Sequence, residues 1–386
     1  AIMPTIYGES EVKHSLLLQL AGSDNVYDET KFLEDRGNLH IGLIGSPGSG
    51  KTAIGRRLGK FWPIYRFASA QTATGRGLIA TAVQDKLLER WVLIPGVIPI
   101  THLGLSVIDE LDKMNKEEYG YLNNAMNDLS VVISKAASGR LDTDTSILAT
   151  MNPRGRVFLS GVPIYEQIDL PPDLLDRFDL IFTVTASSLE ADQREVLRIG
   201  IGKRKRKDSI KPKIPEEKVI KYFAFARTIH PRIPDELEQV IEDRIIKFTR
   251  PSSSTEQRVS NRILLVILRL LHASARLHLR EEITVRDLNQ VMDLIIYSFK
   301  QQGLLDSYGL VDYAKVEHID EHIANAVPLV RETLKRLEET IKPVPVEDLI
   351  KEIIDKVPED KIEEAIEKLK RVGDLMEPRH GFLQLI

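Results

Sequence analysis

The sequence contains no cysteine, which excludes a disulfide framework, a thiolate zinc site and a cysteine nucleophile. It also lacks a long apolar run. Leu16-Leu17-Leu18-Gln19-Leu20 and residues 263–271, broken by Arg269, fall far short of the ~20 apolar residues a membrane span needs. No charge sign dominates: 53 Lys+Arg stand against 57 Asp+Glu, a formal −4. That balance argues against a wholly basic nucleic-acid coat and leaves room for a local basic surface. The start, Ala1-Ile2-Met3-Pro4, has neither an initiator Met nor the basic-then-apolar layout of a signal peptide. The expectation is a soluble cytoplasmic chain with no membrane contact and no structural zinc. No G-x-S-x-G nucleophile elbow is present. The nine His residues, including His14, His40, His102 and His230, are read as lacking a metal-ligand spacing such as H-x-x-x-H and as structural.

What is there is 386 residues, 42% hydrophobic and 28% charged, enough for two or three domains with a sizeable core. Short β-rich apolar runs recur at 40–44, 64–67, 105–108, 146–150 and 180–184, separated by segments of helical spacing. This is the pattern of a parallel sheet covered by helices. The basic stretch 203–208 and Lys211-Pro212-Lys213-Ile214-Pro215 read as a linker or solvated loop, with a phosphate-backbone contact as the alternative. Helical periodicity then covers 216–229, 234–249, 261–279 and 285–299, the last with Thr284 as N-cap and Asp287 in its first turn. After a less patterned stretch come three helical segments, the third with Ile362, Ala365, Ile366 and Leu369 on one face. Two apolar runs around Arg379-His380-Gly381 follow, giving a winged-helix pattern. The expected division is an α/β nucleotide-binding core over 1–200, an α-helical lid over 201–302, a connector over 303–325 and a winged-helix domain over 326–386.

Gly45-Ser46-Pro47-Gly48-Ser49-Gly50-Lys51-Thr52 is a full G-x-x-x-x-G-K-[ST] match between a strand-like and a helical run. Its glycines let backbone N–H groups turn toward phosphate oxygens, and the start of the next helix adds positive potential. Lys51 is expected to reach the β/γ-phosphates of ATP, and the Thr52 hydroxyl to hold Mg²⁺. The apolar run 105–108 ends in Asp109-Glu110. Asp109 is expected to bind Mg²⁺ and Glu110 to polarise the attacking water. Asn152, after another apolar run, could orient that water from a neighbouring strand. Arg177 reads as an arginine finger acting on a neighbouring subunit's nucleotide, with an internal salt bridge to Asp176 or Asp179 as the alternative.

With these residues the chain resembles the AAA+ ATPases and, within them, the minichromosome maintenance (MCM) replicative helicases. Pro4-Thr5-Ile6-Tyr7-Gly8 with Val12-Lys13 is similar to the family's entry into its ATPase domain. Ile108-Asp109-Glu110-Leu111-Asp112-Lys113-Met114, and Leu170-Pro171-Pro172 through Arg177-Phe178-Asp179-Leu180-Ile181-Phe182, are similar to family hallmarks. The resemblance implies a P-loop AAA+ parallel-sheet core, an α-helical lid and a small C-terminal winged helix, as in archaeal members. It implies a homo-oligomer, a hexameric ring with ATP sites between subunits. Two hairpins would face its channel, one within residues 72–104 and one over 131–141. Lys135 matches the family's DNA-contacting lysine, with Arg140 assisting. Arg262 matches the lid arginine that reaches the γ-phosphate, and Arg258 is its near rival. Two departures are Gly50-Lys51-Thr52 where the family commonly has Ala-Lys-Ser, and Asp176 where it has Ser before the finger. Asp176 is expected to hold Arg177 when no neighbour is present. The family's zinc-bearing N-terminal domain is not in the sequence, so the chain is expected to be a truncated or divergent archaeal MCM-like protein.

The expected function is therefore an ATP-driven helicase motor on single-stranded or forked DNA, associated with the nucleoid. The competing readings are a remodelling chaperone of the MoxR or magnesium-chelatase type and a weakly active DNA-binding regulator.

Overall fold

The computed structural model describes residue 3, residue 6 and residues 8–385 apart from 72–74, 86–89, 135–137, 156–158, 160–161, 185–189, 206–211, 250–260, 306–308, 312–320, 339–340, 356, 373 and 380. The chain opens with α1 (Ser10–Ala21), a small hairpin β1 (Val26–Tyr27) and β2 (Leu33–Asp35), then β3 (Ile41–Ile44), α2 (Lys51–Leu58) and β4 (Tyr65–Ser69). The short α3 (Gly75–Leu78) leads into a hairpin of β5 (Ala80–Asp85) and β6 (Arg90–Pro95), closed by α4 (Val97–Ile100). Then come β7 (Leu105–Asp109), α5 (Tyr119–Asn127), a hairpin of β8 (Ser130–Ser134) and β9 (Ser138–Asp142), and β10 (Ser146–Met151). Two single-turn helices, α6 (Ile164–Gln167) and α7 (Pro172–Leu175), precede β11 (Leu180–Thr183).

The five apolar runs of the sequence form one sheet in the order β11-β3-β10-β7-β4 with every pairing parallel. Every residue of β3, β10 and β11 is buried, because crossovers in a parallel sheet cover both faces and leave no solvated side. Register fixes what each edge presents. Ile44 pairs with Met151 and Ala149 with Ile108, so the loops after β3, β7 and β10 leave from the same edge. Leu180 pairs with Ile41, so residues 176–179 lie at the opposite edge.

Beyond the sheet run α8 (Glu190–Arg204), α9 (Glu216–Ala226), α10 (Asp235–Thr249), α11 (Asn261–Leu277) and α12 (Val285–Gln302). The expected core–lid boundary at 200 thus falls inside α8, whose last turn includes the first residues of the basic stretch. Thr284 caps α12 as the sequence suggested, and the structure adds a reciprocal box: its side chain and that of Asp287 satisfy each other's backbone N–H. The same helix covers the exposed edge of the sheet. Ile181 N–H donates to Ser298 Oγ at 3.2 Å, Ser298 Oγ–H donates to Ile181 O at 2.8 Å, and Thr183 N–H donates to Gln301 Oε1 at 2.9 Å. An edge strand satisfied by side chains cannot template another strand.

Asp179, its side chain 1% exposed, lies just before β11. Its carboxylate accepts from His40 N–H at 2.6 Å, from Arg36 at 3.0 and 3.2 Å, and pairs with Arg269 of α11 at 3.1 Å. Arg269 also pairs with Asp35 of β2 at 3.3 Å. Burial alone would raise the Asp179 pKa, but the guanidiniums of Arg269 and Arg36 outweigh it and hold the group at about 2. Burial in turn lowers Arg36 to about 10.

By contact density the chain forms two units, residues 1–248 with 259–303, and residues 249–258 with 304–386. The second contains α13 (Glu321–Glu338), β12 (Val344–Pro345), α14 (Val346–Ile353), α15 (Glu359–Val372), β13 (Leu375–Arg379) and β14 (Phe382–Leu385). Its strands form an antiparallel sheet in the order β12-β14-β13. Ile362, Ala365, Ile366 and Leu369 are buried there with Val330, Leu349 and Leu383. Among its described residues the first helix is 18 residues long rather than short, and it begins within the stretch expected to be a connector. Among the described residues no helix is long and apolar enough to cross a membrane.

Removing Asp179 takes from two buried guanidiniums the carboxylate they share, leaving Arg269 with Asp35 and Arg36 with backbone carbonyls. Asp179→Ala is expected to destabilise unit 1 by about 3–5 kcal/mol, read by chemical denaturation. Because its folded pKa lies below its unfolded one, the wild-type contribution is fully present above about pH 4 and fades as pH falls toward 2. It amounts to about 2 kcal/mol. An unchanged midpoint at pH 7 would refute the assignment.

Candidate active site

Residues 45–50 turn directly from β3 into α2. Gly50 has φ 97°, a backbone region that side-chain-bearing residues rarely adopt. A Cβ on Gly45 would lie 2.0 Å from the Val184 carbonyl oxygen. Lys51 is buried, and its ammonium donates to Gly45 O at 2.5 Å, Ser46 O at 3.0 Å and Ser49 Oγ at 3.3 Å. Burial lowers its pKa, with Asp109, Asp112 and Glu110 opposing that shift.

The two acids predicted from sequence lie beside this loop. Thr52 Oγ1 donates to both Asp109 carboxylate oxygens, at 3.0 and 3.1 Å. A hydroxyl and a carboxylate converging beside a phosphate-type loop are the hard-oxygen donors that suit Mg²⁺. Thr150, on β10 between the two motif strands, donates its hydroxyl to Asp109 Oδ1 and accepts from Glu110 N–H at 3.1 Å. Glu110 has a left-handed φ of 57°, uncommon for a residue with a side chain and found where a fixed environment requires it. Ser69 Oγ lies 3.5 Å from Glu110 Oε2. Asn152 follows Met151, paired with Ile44, and its N–H donates to the buried Asp112 at 2.9 Å. Lys51, Thr52, Asp109, Glu110 and Asn152 therefore share one edge of the sheet, as the sequence suggested.

Arg177 and Arg262 are not there. Arg177 precedes β11, whose first residue pairs with the first residue of β3, so it stands at the other edge. A four-residue strand at ~3.3 Å per residue separates the edges by about 13 Å. The expected Asp176–Arg177 pair does not form. Arg177 Nε donates to Asn123 Oδ1 at 2.5 Å and Nη1 to Asn127 Oδ1 at 3.2 Å. Asp176 pairs instead with Arg262, whose Nη2 donates to Phe178 O at 3.2 Å. The alternative partner Asp179 is taken by Arg36 and Arg269. Packing rather than sequence neighbourhood chose these pairs: α11 brings Arg262 over the turn, and α5 presents its amides to Arg177.

Arg177 and Arg262 line one cleft of about 880 Å³ with Arg140, Asp142, Tyr27 and Phe32. Arg140 is exposed on β9, opposite Val132. Lys135 and Arg258 lie outside the described residues, as do the tips of both expected hairpins. The hairpin bodies are present at β5–β6 and β8–β9, and they lie side by side at Gly139, where an added Cβ would stand 3.4 Å from Leu93 Cδ2. His40 is structural, bridging Ile147 N–H at 3.1 Å and Met126 O at 3.2 Å. His318 and His322 do stand four apart, and lie outside the described side chains.

Sequence reasoning missed Thr150, Asp112, Asn123 and Asn127. Thr150 left one signal, a polar residue inside an apolar strand. The asparagines left only a four-residue spacing on a helix.

Two family models match the chain: the MCM P-loop domain over residues 1–201 and the MCM AAA-lid domain over 217–299. An uncharacterised MCM-type protein of Methanocaldococcus jannaschii is 30% identical across 100% of this chain and 57% of its own length. A minichromosome maintenance protein of Saccharolobus solfataricus is 29% identical over 96% of this chain and 54% of its own length. The DNA replication licensing factor MCM7 of Arabidopsis thaliana is 30% identical over 76% and 42%. The chain spans about half the length of the archaeal relatives it matches. A matched P-loop model and a matched lid model, over a sheet that brings the loop and its acids together, mean that the chain belongs to the MCM family.

Proposed function

We propose that this chain is an ATP-hydrolysing motor that translocates on and unwinds DNA, its nucleotide sites formed between copies of itself, in a hexameric ring. One observation carries the reading. Phosphate loop and acids occupy one edge of the sheet, while the two arginines occupy the other. The parts form one site only when a second copy's cleft meets this copy's loop.

In that site the backbone N–H groups of residues 45–50 and Lys51 hold the phosphates, and Thr52 and Asp109 hold Mg²⁺. The bound metal neutralises phosphate charge. Glu110, aimed by its left-handed backbone and by Thr150, accepts a proton from the attacking water, and Asn152 orients that water. Arg177 and Arg262 of the second copy stabilise charge growing on the terminal phosphate. Arg140, on β9, and Lys135, which lies between β8 and β9 in sequence, contact the phosphates of single-stranded or forked DNA. The second unit reads as a winged helix, with three helices and an antiparallel hairpin among its described residues. The DNA-replication names of the relatives support the choice of DNA as the track.

Glu110→Gln is expected to bind ATP and hydrolyse it roughly 10²–10⁴-fold more slowly. Thr150→Val, which removes both hydrogen bonds that aim the acids, is expected to cost about ten- to a hundred-fold. Steady-state phosphate release measures both, and normal turnover by either removes the role given to it. Arg177→Ala is expected to lose roughly 10³–10⁵ in rate and to regain part of it when mixed with Lys51→Ala, each supplying the other's missing half. Absence of that rescue would place the arginine outside the reaction. Hydrolysis measured with and without single-stranded DNA, beside a size measurement, tests the whole reading. The expected result is multimers stimulated by DNA, with unwinding of a forked duplex lost in Lys135→Ala. Multimers indifferent to DNA would favour a protein-remodelling machine instead.

A further inference from the structure

The two arginines of the cleft are held by different chemistry. Arg262 faces the carboxylate of Asp176 and the Phe178 carbonyl. Arg177 faces two neutral amide oxygens, Asn123 Oδ1 at 2.5 Å from Nε and Asn127 Oδ1 at 3.2 Å from Nη1. Asn123 and Asn127 are four residues apart on α5, so one helix face presents both. The Asn127 amide nitrogen donates to Asp128 Oδ1 at 2.8 Å, which leaves its oxygen for Arg177. The main chain is fixed separately, since Arg36 Nη2 donates to Arg177 O at 3.0 Å. Among the described residues no carboxylate pairs with Arg177. Its neighbours in sequence are engaged, Asp176 by Arg262 and Asp179 by Arg36 and Arg269.

We propose that Asn123 and Asn127 are positioning residues for Arg177, and that their neutrality is the feature the site depends on. Two amide dipoles set the direction of the guanidinium and leave its charge uncompensated for the terminal phosphate held by a second copy. A carboxylate at position 123 would give the same geometry as a charge-assisted pair. The guanidinium would then have to leave an ion pair to meet the phosphate. An apolar residue of similar size would keep the charge and remove the guide. This rests on the reading of Arg177 as a finger acting between copies.

The test is steady-state ATP hydrolysis by the full chain carrying Asn123→Asp, Asn123→Leu or Asn123→Gln, each alone and mixed with Lys51→Ala. Asn123→Asp is expected to lower kcat roughly ten- to a hundred-fold with KM for ATP unchanged, because ATP sits on the other copy's loop. Asn123→Leu should lose less than Asn123→Asp, and Asn123→Gln, still a neutral acceptor, least. Mixing with Lys51→Ala should restore Asn123→Asp, since that subunit supplies a native Asn123 and Arg177 pair. Normal turnover by Asn123→Asp beside an inactive Arg177→Ala overturns the proposal and leaves the finger standing. A loss in Asn123→Asp that mixing does not restore, with a lowered melting temperature, overturns it in favour of a packing role. Normal turnover by Arg177→Ala overturns both readings.

Discussion

A single buried carboxylate organises the arginine side of this protein. Asp179 receives the His40 amide, Arg36 and Arg269, and so joins the start of β3, the start of β11, the β1–β2 hairpin and the lid helix α11 at one point. Buried charges are costly unless paired and hydrogen-bonded, and here, among the described residues, the carboxylate meets three donors while Arg269 Nε is left without a partner. Arg36 then extends the network to the carbonyl of Arg177. The backbone at Arg177 is therefore held by the same ions that hold lid to sheet.

The other edge is organised by strand order. β10 lies between the strand of the phosphate loop and the strand of Asp109 and Glu110. That insertion brings Thr150 within reach of both acids and sets Asn152 beside the loop. A parallel sheet delivers the carboxyl ends of neighbouring strands to one edge, which is why loops there collect chemistry. The same rule sends residues 176–179 to the opposite edge. One fold thus sets the phosphate loop with its acids at one edge of the sheet and the two arginines at the other.

The sheet was legible because its signal is local. Each strand is a short apolar run buried on both faces, and the observed bounds differ from the expected ones by one or two residues, as between 64–67 and Tyr65–Ser69. Thr284 and Asp287 were legible for the same reason, a cap being a matter of three residues. The partners of Arg177 were not. Asp176 and Asp179 flank it closely in sequence, yet it binds Asn123, 54 residues away. Arg36 reaches Asp179 across 143 residues.

The sequence by itself determined the phosphate loop and the acids at the end of β7, because eight contiguous residues and a strand-end pair define that chemistry wherever the strand runs, and it pointed to the family through residues 4–13, 108–114 and 170–182. The tertiary structure decided which guanidinium meets which acceptor, and that Arg177 and Arg262 stand across the sheet from Lys51. Long charged side chains pair with whatever packing brings within about 3 Å, and neighbours along the chain have no prior claim. Register and helix placement settle that, and both are properties of the whole sheet rather than of any segment.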